Sequence, residues 1–142
     1  MSTGENKTIV RRWFEAHSSQ EEVERAADEL LSPDFVDHIP PFADLHGPEG
    51  YKRFSAGTFT AYPDARFITE ELIGAEEDRV VVRWTLHGTH LGETRMGIAP
   101  TGKQVRASGI SIVRIRDGRI VEMWTNVDFL GLMQQMGAIS PS

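Results

Sequence analysis

The stretch from Ser108 to Asp128, SGISIVRIRDGRIVEMWTNVD, decides the fold. Two runs rich in Val, Ile and Thr flank Asp117-Gly118, and each alternates apolar with polar residues at the period of a half-buried strand. Asp-Gly supplies the positive φ angles of a two-residue type I′ turn, so the runs fold back on each other with Arg116 facing Arg119. Counting back from that pair sets Ser111 opposite Trp124, Gly109 opposite Asn126 and Ala107 opposite Asp128 on one face. Ile112 with Met123, Ile110 with Thr125 and Ser108 with Val127 share the other. The first face sets small residues against larger polar ones, which leaves volume missing and groups projecting, as a cavity lining would. In the alternative reading the apolar face is the core and Trp124 with its neighbours points to solvent. A bulge near Gly109 would break the register.

Working outward, Ala65–Ala75, Arg79–His90, Lys103–Arg116 and Arg119–Val127 read as four strands with Gly, Asp and Pro between them. The first part of the chain has a different period. Ile9, Val10, Trp13 and Phe14 form the stripe of an amphipathic helix over residues 5–17. Ser18 or Ser19 caps a second helix carrying Val23, Ala26, Ala27, Leu30 and Leu31, which Pro33 closes. Phe35 to Ile39 is a short β-rich segment, and a third helix starts near Pro48 with Tyr51, Phe54 and Phe59. Phe129 to Met136 is a short terminal helix ended by Gly137. Three helices before a mostly antiparallel sheet make an α+β fold, with the helices laid on one face of a curved sheet that bends into a cone with a pocket inside.

The 142 residues fit one domain, 1–142, with its core over residues 6–138. A formal net charge of −6 argues against nucleic acid, whose binders gather positive charge to displace counterions from phosphates. The absence of cysteine removes thiolate nucleophiles, zinc-thiolate sites and iron–sulfur clusters. No run is long and apolar enough for a membrane span, and the first residues lack the pattern of a secretory leader, so a cytoplasmic protein is expected.

Several residues stand out as chemistry. Asp128 ends a strand just before the apolar Phe129-Leu130-Gly131-Leu132-Met133, surroundings that raise a carboxyl pKa and suit it to taking and returning protons. Its alternative is an N-cap. His38, before a proline loop, is placed at a pocket mouth as acid, base or hydrogen-bond donor, or else lies on a surface loop. Arg83 stands in an otherwise apolar strand, as a cation for a substrate carbonyl or a half-exposed sheet residue. His87 and His90 are three apart on a strand and turn, so they face different ways, and no metal is expected. Pro100-Thr101-Gly102-Lys103 is a turn without the glycine spacing of a phosphate loop. His17 and His46 read as solvated positions. Trp124, Asn126, His90, Arg83 and Phe54 are the candidate substrate-binding residues.

Phe35-Val36-Asp37-His38, Ala61-Tyr62-Pro63-Asp64, Gly88-Thr89-His90-Leu91-Gly92, Pro100-Thr101-Gly102-Lys103 and Asp117 through Trp124 and Asp128 to Gly137 together resemble the SnoaL-like polyketide cyclases, also called ester cyclases. The resemblance implies the cone-shaped barrel shared with nuclear transport factor 2 and ketosteroid isomerase, as a homodimer or homotetramer. It further implies ring closure of an aromatic polyketide ester by intramolecular aldol condensation without cofactor or metal. A single aspartate acts as acid and base in such enzymes, and the closing Glu-x-x-Trp-x-x-x-Asp pattern places that role on Asp128. The expected partner is a small hydrophobic, polycyclic or ester substrate. A hydrolase or isomerase in the same cone, using Asp128 and His38, and a non-catalytic binding module are the alternatives.

Overall fold

The structure, a computed structural model, describes residues 2–140. Helix α1 (Thr3–Glu15) starts at Ser2, whose hydroxyl accepts the Glu5 N–H, and α2 (Gln20–Leu30) starts at Ser19, whose hydroxyl accepts the Glu22 N–H. Of the two serines offered by the sequence, Ser19 is the cap. Strand β1 (Leu31–His38) follows without a loop and contains Pro33, so the proline lies in the strand rather than at the helix end. A two-residue strand β2 (Leu45–His46) leads into α3 (Gly47–Ala61), with Pro48 in its first turn. Strands β3 (Arg66–Ala75), β4 (Arg79–Thr89), β5 (Gln104–Arg116) and β6 (Arg119–Val127) lie within a residue or so of their expected bounds, and α4 (Phe129–Gln135) closes the described chain.

The six strands form one sheet in the order β2-β1-β6-β5-β4-β3, antiparallel except where β1 runs parallel to β6. That parallel pair brings the end of β1 beside the β5–β6 hairpin, from opposite ends of the sequence. The helices cover one face. Val10, Trp13, Val23, Ala27 and Leu30 from α1 and α2 pack against Val80, Val82, Val113, Ile115 and Ile120 of the sheet, all buried. This apolar cluster supplies the main driving force for the fold.

Asp117 and Gly118 have φ of 52° and 76°, as the type I′ turn requires, and Arg116 does pair with Arg119. Two residues further on, the register moves. Ile115 pairs with Ile120, but Arg114 pairs with Glu122, leaving Val121 as a bulge. Because strand side chains alternate, one extra residue turns every later residue of β6 to the opposite face. Thr125 now stands opposite Ser111 and Val127 opposite Gly109, while Trp124 pairs with Ile112 and Asn126 with Ile110. The small residues of β5 do face inward, as expected; Trp124 and Asn126 do not. The space over Gly109 is taken by Trp84 instead, since a Cβ at Gly109 would come within 2.2 Å of its indole.

Candidate active site

One cavity opens inside the cone between α1, α3, the inner sheet face and α4, with an empty volume of about 890 Å³ counted out to its mouth. Phe14, Phe67, Trp84, Leu86, Met123 and Leu132 give it an apolar wall.

Asp37 is the carboxylate in that wall, and it is 1% exposed. It lies next to the end of β1, where the strand periodicity turns it inward and His38 outward. Thr125 Oγ donates to its Oδ1 at 2.9 Å. Because that proton is committed, Ser111 Oγ donates to Thr125 Oγ at 3.2 Å, and Trp84 Nε1–H donates to Ser111 Oγ at 3.1 Å. The three donors form a chain directed at Asp37. Burial outweighs this help and pushes the carboxyl up from 3.8 to about 7. A carboxyl held at that value can carry or release a proton near neutral pH.

His17 and Tyr51 line the same cavity. His17 is buried rather than solvated, and burial lowers its pKa to about 4, so its imidazole is neutral. Arg95, on the loop after β4, is the cation of the lining among the described residues. Its Nη2 donates to the Phe54 carbonyl and, at 2.9 Å, to Thr58 Oγ, and its guanidinium lies over the Phe54 ring, 3.7 Å from the centroid. Among the described residues its Nε and Nη1 hydrogens have no protein acceptor and Arg95 joins no ion pair, which leaves donors for an oxygen in the cavity. Phe42, Phe54 and Phe129 meet edge to face beside it, at 5.6 and 5.3 Å.

The expected site residues distribute unevenly around this cavity. Phe54 lines it. Asp128 does not: it is exposed at the N-cap of α4, where its Oδ1 accepts the Gly131 N–H at 2.9 Å, the alternative that the sequence offered. A Cβ on Gly131 would collide with that carboxylate, so the glycine is matched to the cap. His38 lies on the outer face, with Nε2 2.7 Å from Glu122 and Nδ1 3.1 Å from Asp44, and stacks on Trp124 at 5.7 Å. The Glu122 hydrogen bond, with Asp44 adding to it, raises the His38 pKa and makes it a surface ion-pair residue. Arg83 is half-exposed on the outer face beside Glu71, and Asn126 is exposed. His90 is fully buried away from the cavity. Its Nδ1 meets Thr101 Oγ at 3.0 Å and accepts the Thr101 N–H, which ties the 90–103 loop together.

The sequence places Ser111 on the cavity-lining face but turns Thr125 to the opposite one and reads His17 as solvated, and it does not mark Asp37, Tyr51 or Arg95 as site residues. Asp37 lies in Phe35-Val36-Asp37-His38, and its strand position beside His38 is the available signal, since only one of two neighbours on a strand points inward.

A helix-covered cone with a buried carboxyl in an apolar cavity defines a class of α+β pocket proteins. Comparison with known proteins narrows this: residues 7–136 match the model of the SnoaL-like polyketide cyclase family, and the chain belongs to that family. It is 32% identical over 139 residues to the aklanonic acid methyl ester cyclase DauD of Streptomyces sp. (strain C5), covering 94% of this chain and 83% of that protein. It is 31% identical to the aklanonic acid methyl ester cyclase DnrD of Streptomyces peucetius, covering 94% and 92%. The structure of TsrD from Streptomyces laurentii superposes with a TM-score of 0.83 at 25% identity, covering 98% of this chain and 99% of that one.

Proposed function

We propose that the chain closes a ring of an aromatic polyketide ester by intramolecular aldol condensation, with Asp37 as the acid/base. The observation that carries this reading is the placement of a carboxyl, its pKa raised by burial to about 7, in the wall of an apolar cavity. A carbon between a ketone and an ester is already acidic, so a positioned base and exclusion of water supply most of what the step needs. Asp37 takes the proton from that carbon, and the enolate carbon bonds to the ketone carbon. The ketone oxygen becomes an alkoxide and receives the proton back from Asp37. The proton balance closes on the protein, so the step requires no cofactor or metal. Arg95, with N–H groups unspent, supports the growing negative charge on oxygen.

Membership of the family and the relatives' activity support the reaction class. Asp37 is preferred to Asp128 because Asp128 is exposed and its Oδ1 caps α4. We also assign the homo-oligomer to the outer sheet face, where Ile73, Val81, Ile112 and Trp124 form one row across four strands and Ile73, Ile112 and the neighbouring Ile110 are exposed. No described helix is long and apolar enough to cross a membrane.

The test is product formation from aromatic polyketide keto-esters, followed by chromatography and mass spectrometry, with wild type, Asp37→Asn and Asp128→Asn. Turnover is expected to vanish in Asp37→Asn and persist in Asp128→Asn. The reverse pattern returns the acid/base role to Asp128, and tight binding without turnover by the wild type makes the protein a binding module.

A further inference from the structure

The His17–Tyr51 pair goes further than the acid/base reading and rests on it only in taking the cavity as the substrate site. His17 Nδ1 lies 2.9 Å from the Trp13 carbonyl. A carbonyl oxygen only accepts, so Nδ1 carries the hydrogen, and in a neutral imidazole Nε2 is then a bare lone pair. Tyr51 Oη sits 2.6 Å from Nε2, so the tyrosine donates to the histidine. The imidazole is held by Trp13, Phe67 and Phe14, with ring centroids at 4.9, 5.2 and 6.0 Å. Turning it over would leave the buried Trp13 carbonyl facing a C–H and break both hydrogen bonds.

A phenol has one hydrogen, and this one is spent on His17. A tyrosine in an acid/base cavity is ordinarily read as a donor to a substrate oxyanion; here the oxygen presents only lone pairs. We propose that Tyr51 is a specificity-determining residue that accepts a hydrogen bond from a phenolic or enolic hydroxyl of the substrate, and that His17 is the positioning residue that fixes this polarity. The cavity therefore has two kinds of polar contact, a donor at Arg95 for a substrate carbonyl or oxyanion and an acceptor at Tyr51 for a substrate hydroxyl. A substrate whose hydroxyl is replaced by an ether or removed leaves Tyr51 without a partner.

The tautomer and the preference are both measurable. Nitrogen-15 NMR of the imidazole side chains in the wild-type protein is expected to show Nδ1–H and a bare Nε2 for His17 across neutral pH; an Nε2–H tautomer overturns the proposal without any variant. Binding is read by calorimetry with 1-naphthol and 1-methoxynaphthalene. Wild type is expected to prefer the naphthol by about tenfold, the scale of one hydrogen bond, and Tyr51→Phe to bind both alike. His17→Phe frees the tyrosine proton, and the preference is expected to shrink or invert in favour of the methoxy probe. Equal binding of both probes by wild type, or a preference that survives in Tyr51→Phe, overturns it. Failure of the cyclase reading looks different: no product from keto-esters, with the naphthol preference and the His17 tautomer intact.

Discussion

Replacing Asp37 by Asn should stabilise the protein above neutral pH while removing its activity. The folded state holds this carboxyl at about 7 because burial disfavours its charge, against 3.8 for the ordinary group. Between these values the folded protein keeps a proton that the unfolded chain has lost, so the group's contribution is fully present below 3.8 and is lost as pH rises toward 7. At about 1.4 kcal/mol per pH unit, the loss between 3.8 and about 7 is of the order of 4 kcal/mol. Asn keeps the shape and can accept from Thr125 without carrying charge. His17 acts with the opposite sign: buried and neutral, it contributes above 6.5, and that contribution is lost as pH falls toward 4. Wild type alone therefore shows a flattened profile in that range. The difference between the two proteins isolates Asp37, since His17 is common to both. The assay is urea unfolding from pH 4 to 9 followed by tryptophan fluorescence. The stability of Asp37→Asn relative to wild type should grow with pH by up to about 4 kcal/mol and level off above 7. A difference that does not grow with pH, or an Asn variant less stable than wild type at pH 9, refutes the account of Asp37 as a buried, strained base.

Two further outcomes follow from the same site. Thr125→Val removes the donor that holds the Asp37 carboxylate, so the pKa should rise and the rising limb of the kcat/KM profile, expected near pH 7 in wild type, should move to higher pH; an unmoved profile separates Asp37 from the rate. Gly109→Ala drives a Cβ to 2.2 Å from the Trp84 indole, so chemical denaturation should show a loss of about 1–3 kcal/mol, with Trp84 fluorescence altered.

Most of the scaffold was legible because each element has a local cause. The 3.6-residue stripe of Ile9, Val10, Trp13 and Phe14, the Ser19 cap, Pro48 in the first turn of α3 and Asp117-Gly118 all act within a few residues of chain, and the structure places helices and strands accordingly. The family motifs, spread over the chain, led to the same cone. The site was less legible. A single bulge at Val121 changed which residues of β6 face the cavity, and nothing in the Val-Glu-Met-Trp run distinguishes a bulged strand from a regular one. Asp128 had the sequence of an acid before an apolar helix and equally that of an N-cap, and which it became depended on where its carboxylate found a donor, the Gly131 N–H.

By itself, the sequence determined the α+β class, the order of the elements, the hairpin turn and the family, since propensity, capping and alternation are properties of neighbours in the chain. Tertiary structure decided which carboxyl is buried. Asp37 is joined to Thr125 and Ser111 across residues far apart in sequence, by the parallel pairing of β1 with β6, and its raised pKa comes from the apolar walls that α1, α3 and the sheet close around it. The same closure brings Tyr51 of α3 against His17 after α1 and assigns the tyrosine its role as acceptor. Desolvation and hydrogen-bond polarity arise only when separated segments exclude water together, so neither is written in any one stretch of the chain.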